Sequence, residues 1–140
     1  MEKRFNYFAY GSNMNEQRML ERCPGARLVG KATLAGYRLV ERLYADVEPL
    51  SGKVVEGVLW TVTESDVYRL DGYEGVEHGI YARKVRRVRI GGRFCNTLCY
   101  EMTPRTRRVR NGIPYPDKYR EICSLGAQAH GVADLFTKTA

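Results

Sequence analysis

An acidic residue between two glycines is the strongest candidate for acid–base chemistry in this sequence. Glu74 follows Tyr73 in the segment Leu70–Val76 and lies between Gly72 and Gly75. It comes just after an amphipathic helical turn, so its side chain can be partly buried, and burial raises the pKa of a carboxyl group toward the neutral range that a general base needs. The alternative is a solvated acid in a glycine-rich loop, which is the commoner case. The local sequence leaves both interpretations open.

The second candidate is the turn that ends the first predicted strand, in the stretch Tyr7–Glu16. An aromatic run predicts a buried strand, and Gly11 allows the chain to turn sharply. Asn13 can cap a following helix, with Glu16 in the capping-box position. The unpaired N–H groups of such a turn attract a carboxylate or an oxyanion. An ordinary strand-to-helix turn is the alternative.

Nucleophilic and metal chemistry have weaker support. A hydrolase could use Ser12 or a cysteine with His78 as base, since His78 lies four residues from Glu74. No nucleophile-elbow pattern surrounds Ser12, however. The four cysteines form no Cys-x-x-Cys pair and the chain has only two histidines, so we expect a reduced, cytoplasmic protein without a metal site.

The formal net charge of +7 on 140 residues raises the question of nucleic-acid binding. The positive residues concentrate in Arg83–Arg89, within a predicted strand, and in Arg105–Arg110, within a predicted loop. A solvated surface or attraction to an acidic small substrate explains both tracts, so we expect no nucleic-acid partner; a basic β-rich module that binds RNA or DNA stays as an alternative. No run of about 18 apolar residues occurs, and we expect no membrane span and no signal peptide.

The hydrophobic pattern predicts one mixed α and β domain over residues 1–140. Strand composition occurs in six segments: 7–10, 27–34, 37–40, 54–62, 81–90 and 93–102. Helix signals occur in three segments: 13–22, the residues after the capping sequence 63–66, and 116–131. The Gly91–Gly92 pair predicts a hairpin. We therefore expect an α+β fold with a largely antiparallel sheet.

Some segments are predicted to be irregular. Residues 44–49 show no strand pattern, and Ser51–Gly52 is a turn signal. The stretch Thr103–Pro114 is basic and contains prolines and a glycine, which predicts a mobile loop at one side of a pocket. Gly57 lies inside a strand pattern and indicates a bulge or a close approach of another backbone.

Three motifs, in order, resemble those of the gamma-glutamylcyclotransferase-like family. Phe8–Met14 is similar to its Tyr-Gly-Ser-Asn loop, Leu70–Gly75 to its second motif, and Tyr119–Ala127 to its late helix. The resemblance covers nearly the whole chain and implies a mostly antiparallel, barrel-like sheet flanked by short helices. It departs at Tyr115–Pro116, where the family commonly has a Pro-Ser pair.

The resemblance also implies roles for individual residues. Glu74 would be the catalytic acid and base, and Tyr119 would line the substrate site. The loop that holds the gamma-glutamyl part of the substrate would comprise Tyr10, Gly11, Ser12, Asn13, Met14 and Asn15.

The reaction that the resemblance implies is cyclisation of a gamma-glutamyl amino acid or amide to 5-oxoproline, with release of the free amine. The substrate's own α-amino group is the nucleophile, so neither a metal nor a cofactor is expected. The loop resembles the branch of the family that acts on gamma-glutamyl amino acids, but the sequence leaves gamma-glutamylamines and a gamma-glutamyl-protected biosynthetic intermediate open. It also leaves the oligomeric state open, a homodimer being one option.

Overall fold

The computed structural model describes residues 3–137, so the predicted domain limits at residues 1 and 140 lie outside the described residues. Its strands are β1 (Arg4–Ala9), β2 (Arg27–Arg42), β3 (Tyr44–Thr63), β4 (Tyr81–Ile90) and β5 (Arg93–Met102). Its α-helices are α1 (Glu16–Arg22), α2 (Glu64–Glu74), α3 (Pro104–Arg110) and α4 (Asp117–Ala129). Short 3₁₀ helices cover Ser12–Met14 and Val76–His78.

The strands close into a barrel in the order β1-β3-β2-β4-β5. Neighbouring strands run antiparallel, and a parallel contact between Tyr7 of β1 and Leu98 of β5 completes the barrel. The predicted hairpin at Gly91–Gly92 joins β4 to β5. The predicted α+β class, with a mostly antiparallel, barrel-like sheet and short helices, is confirmed.

The longest hairpin, between β2 and β3, differs from the prediction. Residues 44–49 and the Ser51–Gly52 turn belong to β3, and the chain reverses at Leu43, whose φ is 63°. Pairing with β2 supplies backbone hydrogen bonds to residues of low strand propensity, so the tertiary context outweighs the local pattern. Pro49 is tolerated because it lies beside a register shift in β2.

The prediction of a loop after β5 is wrong for residues 104–110, which form α3. Thr103 caps this helix, its hydroxyl accepting from the N–H of Thr106, and Pro104 occupies the first turn. Threonine followed by proline is a helix start as well as loop punctuation. The helix after it begins one residue later than predicted, at Asp117, with Pro116 as its N-cap.

The helix after the first turn is also capped differently from the prediction. Asn15, and not Asn13, caps α1, its side-chain oxygen accepting from the N–H of Arg18 at 3.2 Å. Glu16 is therefore the first helical residue and cannot complete a capping box. The 3₁₀ turn of Ser12–Met14 comes before the helix, so the N-cap lies two residues later than predicted.

Two glycines allow close packing around this turn. A Cβ atom at Gly57 would lie 2.4 Å from the carbonyl oxygen of Ala9, which confirms the predicted close approach. A Cβ atom at Gly126 of α4 would lie 2.5 Å from the backbone nitrogen of Asn15. The turn is thus held between β3 on one side and α4 on the other.

Candidate active site

A cavity of about 600 Å³ opens where the first turn, the end of α2 and the start of α4 meet. Its wall contains six of the residues predicted for the site: Tyr10, Gly11, Ser12, Asn13, Glu74 and Tyr119. The other two lie behind the wall: Met14 is fully buried, and Asn15 caps α1 and donates to the carbonyl of Ile122. The structure therefore brings the acid of the second motif and the glycine turn around one hollow.

Gly11, Ser12 and Asn13 of the glycine turn line this cavity. The N–H groups at the start of the 3₁₀ helix Ser12–Met14 have no acceptor within that helix. Two buried hydrogen bonds fix this turn. Trp60 donates to the carbonyl of Asn13 at 3.1 Å, and the Asn13 side chain donates to the Tyr7 hydroxyl at 3.1 Å. A substrate carboxylate or a developing oxyanion can therefore be bound by rigidly held donors.

Tyr119 is anchored against the turn. Its hydroxyl accepts from the N–H of Ala45 at 3.1 Å, and Tyr81 donates to the carbonyl of the same residue at 2.8 Å. A Cβ atom at Gly11 would lie 2.8 Å from this hydroxyl, so a side chain there would displace it. The ring of Tyr44 packs edge-on against Tyr119, with centroids 4.9 Å apart.

Glu74 is half-buried and is the last residue of α2. Within residues 3–137 its carboxylate forms no hydrogen bond and no ion pair. Burial raises its pKa from 4.5 to about 7, and the nearby charge of Arg22 offsets part of this effect. The C-terminal end of a helix also disfavours a negative charge. Glu74 thus has the protonation equilibrium of a general acid and base at neutral pH.

Two arginines of the site were missed by the sequence reasoning. Arg18 donates to the Ser12 hydroxyl at 3.3 Å, and Arg22 donates to the Asn13 side chain at 3.2 Å. The guanidinium of Arg22 also lies 4.5 Å from the ring centroid of Tyr73. Their spacing of four residues on the helix that follows the turn was an available signal, because it places both on one helix face.

The hydrolase alternative gains no support from the geometry. No hydrogen bond joins Ser12 to His78 among the described residues, and the Ser12 hydroxyl is engaged by Arg18. The four cysteines are free, three of them are buried, and none lines the cavity. In the described part of the chain, no three His, Cys, Asp or Glu side chains converge as metal ligands would.

Several cations of the two basic tracts have partners inside the protein. These contacts are Arg83 with Asp71, Arg86 with Glu101, Arg87 over the ring of Phe94, Arg105 with the carbonyl of His78, and Arg107 with Asp46. The tracts therefore contribute to the fold and offer less free positive surface than the sequence suggests.

None of the helices described is both long and apolar enough to cross a membrane.

Comparison with known proteins gives a consistent result. Residues 7–120 match the family model described as "Gamma-glutamyl cyclotransferase, AIG2-like". The human and mouse proteins named gamma-glutamylcyclotransferase are 30% and 29% identical to this chain, each over 94% of it and 74% of the relative. A solved structure named gamma-glutamyl cyclotransferase superposes with a TM-score of 0.79 at 28% identity, covering 94% of this chain and 82% of the other.

Proposed function

Because this chain belongs to the gamma-glutamyl cyclotransferase, AIG2-like family, we propose that it is a gamma-glutamylcyclotransferase with Glu74 as its acid and base. Its reaction converts a gamma-glutamyl amino acid or amide into 5-oxoproline and a free amine or amino acid. The observation that carries the proposal is the shared cavity, whose wall contains both Glu74, a carboxyl group with a pKa of about 7, and the turn Gly11–Asn13.

The cavity would first fold the substrate for ring closure. The amides of Gly11–Asn13 would bind the glutamyl carboxylate or the oxyanion that forms at the γ-carbonyl, while Tyr119 closes the wall beside them. The α-amino group and the γ-carbonyl belong to one molecule, so the attack is intramolecular in any case, and the cavity contributes by holding the two groups in a near-attack geometry.

Glu74 would then carry out both proton transfers. Its carboxylate takes a proton from the substrate's α-ammonium group, so that the free amine attacks the γ-carbonyl and forms the new C–N bond. The resulting carboxylic acid gives a proton to the departing nitrogen as the original amide bond breaks. The ring nitrogen loses its second proton to solvent as the lactam forms, and Glu74 ends as a carboxylate. No metal or cofactor enters the reaction because the substrate supplies its own nucleophile.

The test of this function is a panel of gamma-glutamyl amino acids, gamma-glutamylamines and glutathione, each incubated with the purified protein and scored for 5-oxoproline by mass spectrometry. We expect release from at least one class, with an equal amount of free amine. Release of glutamate in place of 5-oxoproline would indicate a hydrolase and would overturn the proposal.

The four free cysteines fit a reducing, cytoplasmic location, which we include in the proposal.

The pH dependence of turnover should follow Glu74. Its carboxylate is the active form in the first step, so kcat/KM should rise with pH through about 7 and fall about tenfold per unit below that value. The measurement is kcat/KM from about pH 5 to about pH 9 at constant ionic strength, with a substrate at concentrations well below KM. An inflection near 4.5, the ordinary value for this group, would contradict the role of burial.

A further inference from the structure

Arg110, the last residue of α3, has an unsatisfied donor in the wall of the same cavity. Its Nη1 atom is buried and has no hydrogen-bond partner among the described residues. Its guanidinium lies over the ring of Tyr44, 5.4 Å from the centroid. A buried donor without an acceptor is costly, so an acceptor supplied by a ligand in the cavity would relieve that cost.

The contacts around Arg110 show which part of a ligand it can reach. Gly11 contacts Tyr119, Tyr119 packs on Tyr44, and Tyr44 carries the guanidinium of Arg110. Arg110 is thus linked to the glycine turn through two aromatic rings, and no hydrogen bond joins the two within residues 3–137. A ligand that contacts both places would offer one acceptor to the turn and another to Arg110.

The charges that line the cavity favour an anion as the second acceptor. Among the lining residues described, Glu74 is the one carboxylate, against the cations Arg18, Arg22, Arg110 and Lys118. Arg18 and Arg22 are engaged by side chains of the glycine turn. Arg110 is left with a buried free donor, and Lys118 lies nearby in the sequence at the start of α4, exposed in the wall.

We propose that Arg110 is a specificity-determining residue that binds a carboxylate on the leaving group. This inference rests on the proposed function and narrows its substrate class, because a gamma-glutamyl amino acid carries this second carboxylate and a gamma-glutamylamine does not. The guanidinium would hold the departing amino acid by its carboxylate, which positions the scissile amide nitrogen for protonation by Glu74. Lys118 adds a second positive charge at the rim.

The test compares two substrates that differ only at this group: gamma-glutamylalanine and gamma-glutamylalaninamide. For the natural protein we expect kcat/KM to be higher for the carboxylate form, by about 10- to 100-fold, the usual range for a charge-assisted hydrogen bond in a partly buried site. Arg110→Gln should lower kcat/KM for the carboxylate form more than for the amide form and so remove most of this preference, and Arg110→Lys should restore part of it.

Arg108→Gln is the matched control, because Arg108 is an exposed arginine of α3 that does not line the cavity. It should leave the ratio of the two substrates unchanged. The ratio of kcat/KM for the two substrates separates a change of specificity from a general loss of folding, because a loss of folding would lower kcat/KM for both substrates. A ratio unaffected by Arg110→Gln, with both substrates still yielding 5-oxoproline, would overturn this inference alone; no 5-oxoproline from either substrate would overturn the proposed function and this inference with it.

Discussion

Glu74→Gln is expected to lower kcat/KM for 5-oxoproline release by about 10³-fold or more. General acid–base catalysis by one group contributes about 10² to 10⁴, and here the same carboxyl group serves two successive proton transfers. Glutamine keeps the size and the position of the side chain at the end of α2 but can neither accept nor return the proton. The measurement is 5-oxoproline formed under single-turnover conditions, where slow chemistry is separated from product release.

The same substitution should not weaken the fold, and its effect on stability has a definite sign. The pKa of Glu74 is higher in the folded state than its ordinary value of 4.5. The native state therefore binds more protons than the unfolded chain between about 4.5 and about 7, and stability falls as pH rises through that window. Because glutamine stays neutral, the variant should melt at the same temperature as the natural protein or higher at about pH 8.

Glu77→Gln provides the control, since Glu77 is exposed three residues further on and does not line the cavity. It should leave both turnover and its pH profile unchanged. Normal turnover by Glu74→Gln, or equal losses in the two variants, would contradict the assignment of Glu74. A loss of activity accompanied by a lower melting temperature would point to damage of the fold and not of the chemistry.

The parts of the site that the sequence predicted were those whose chemistry is local. Gly11 indicates a sharp turn, and Glu74 is the last residue of a helix that begins with a capping box, which the structure contains between Thr63 and Asp66. The family resemblance added Tyr119, whose place beside Gly11 depends on α4 and could not be read from spacing alone. The proximity of these residues is a property of the closed barrel.

Two parts of the structure were missed for different reasons. Residues 44–49 look irregular by themselves, yet pairing with β2 places Ala45 where it holds both Tyr119 and Tyr81. The helix α3 was hidden by Pro104 and by Gly112 and Pro114 just after it, and with it the approach of Arg110 to the cavity. The first error concerns backbone whose hydrogen bonds depend on a partner strand, whereas the second concerns a local helix start, Thr103 followed by Pro104, that is also typical of loops.

An ion cluster at Asp46 connects residues 44–49 to α3. Its disruption is the second change for which we expect a large effect, here on the free energy of unfolding. Asp46 is fully buried, and its carboxylate accepts from Arg42 at 2.8 Å, from Arg107 of α3 at 2.9 Å and from the N–H of Met102 at 3.0 Å. Asp46→Asn removes the negative charge and leaves two guanidinium groups with less compensation. We expect the free energy of unfolding to fall by about 3 kcal/mol, the lower end for breaking a buried pair, because Arg107 is partly exposed.

The measurement is urea unfolding, in which the midpoint should decrease while the slope stays constant. Arg38→Gln is the matched control: it removes an exposed pair with Glu48 and should cost no more than about 1 kcal/mol. If Asp46→Asn lowered the midpoint no more than this control, the cluster would not be a support of the fold. A double substitution with Arg107→Gln should cost less than the sum of the two single ones, since both residues belong to one network.

The cluster also links stability to specificity. Arg107 and Arg110 are three residues apart on α3 and therefore lie on the same face of the helix, so we expect the contact of Arg107 with Asp46 to position Arg110 in the cavity wall. Under conditions where Asp46→Asn is still folded, it should reduce the preference for gamma-glutamylalanine over gamma-glutamylalaninamide, although Asp46 does not line the cavity. An unchanged preference in the folded variant would show that α3 is held in place by other contacts.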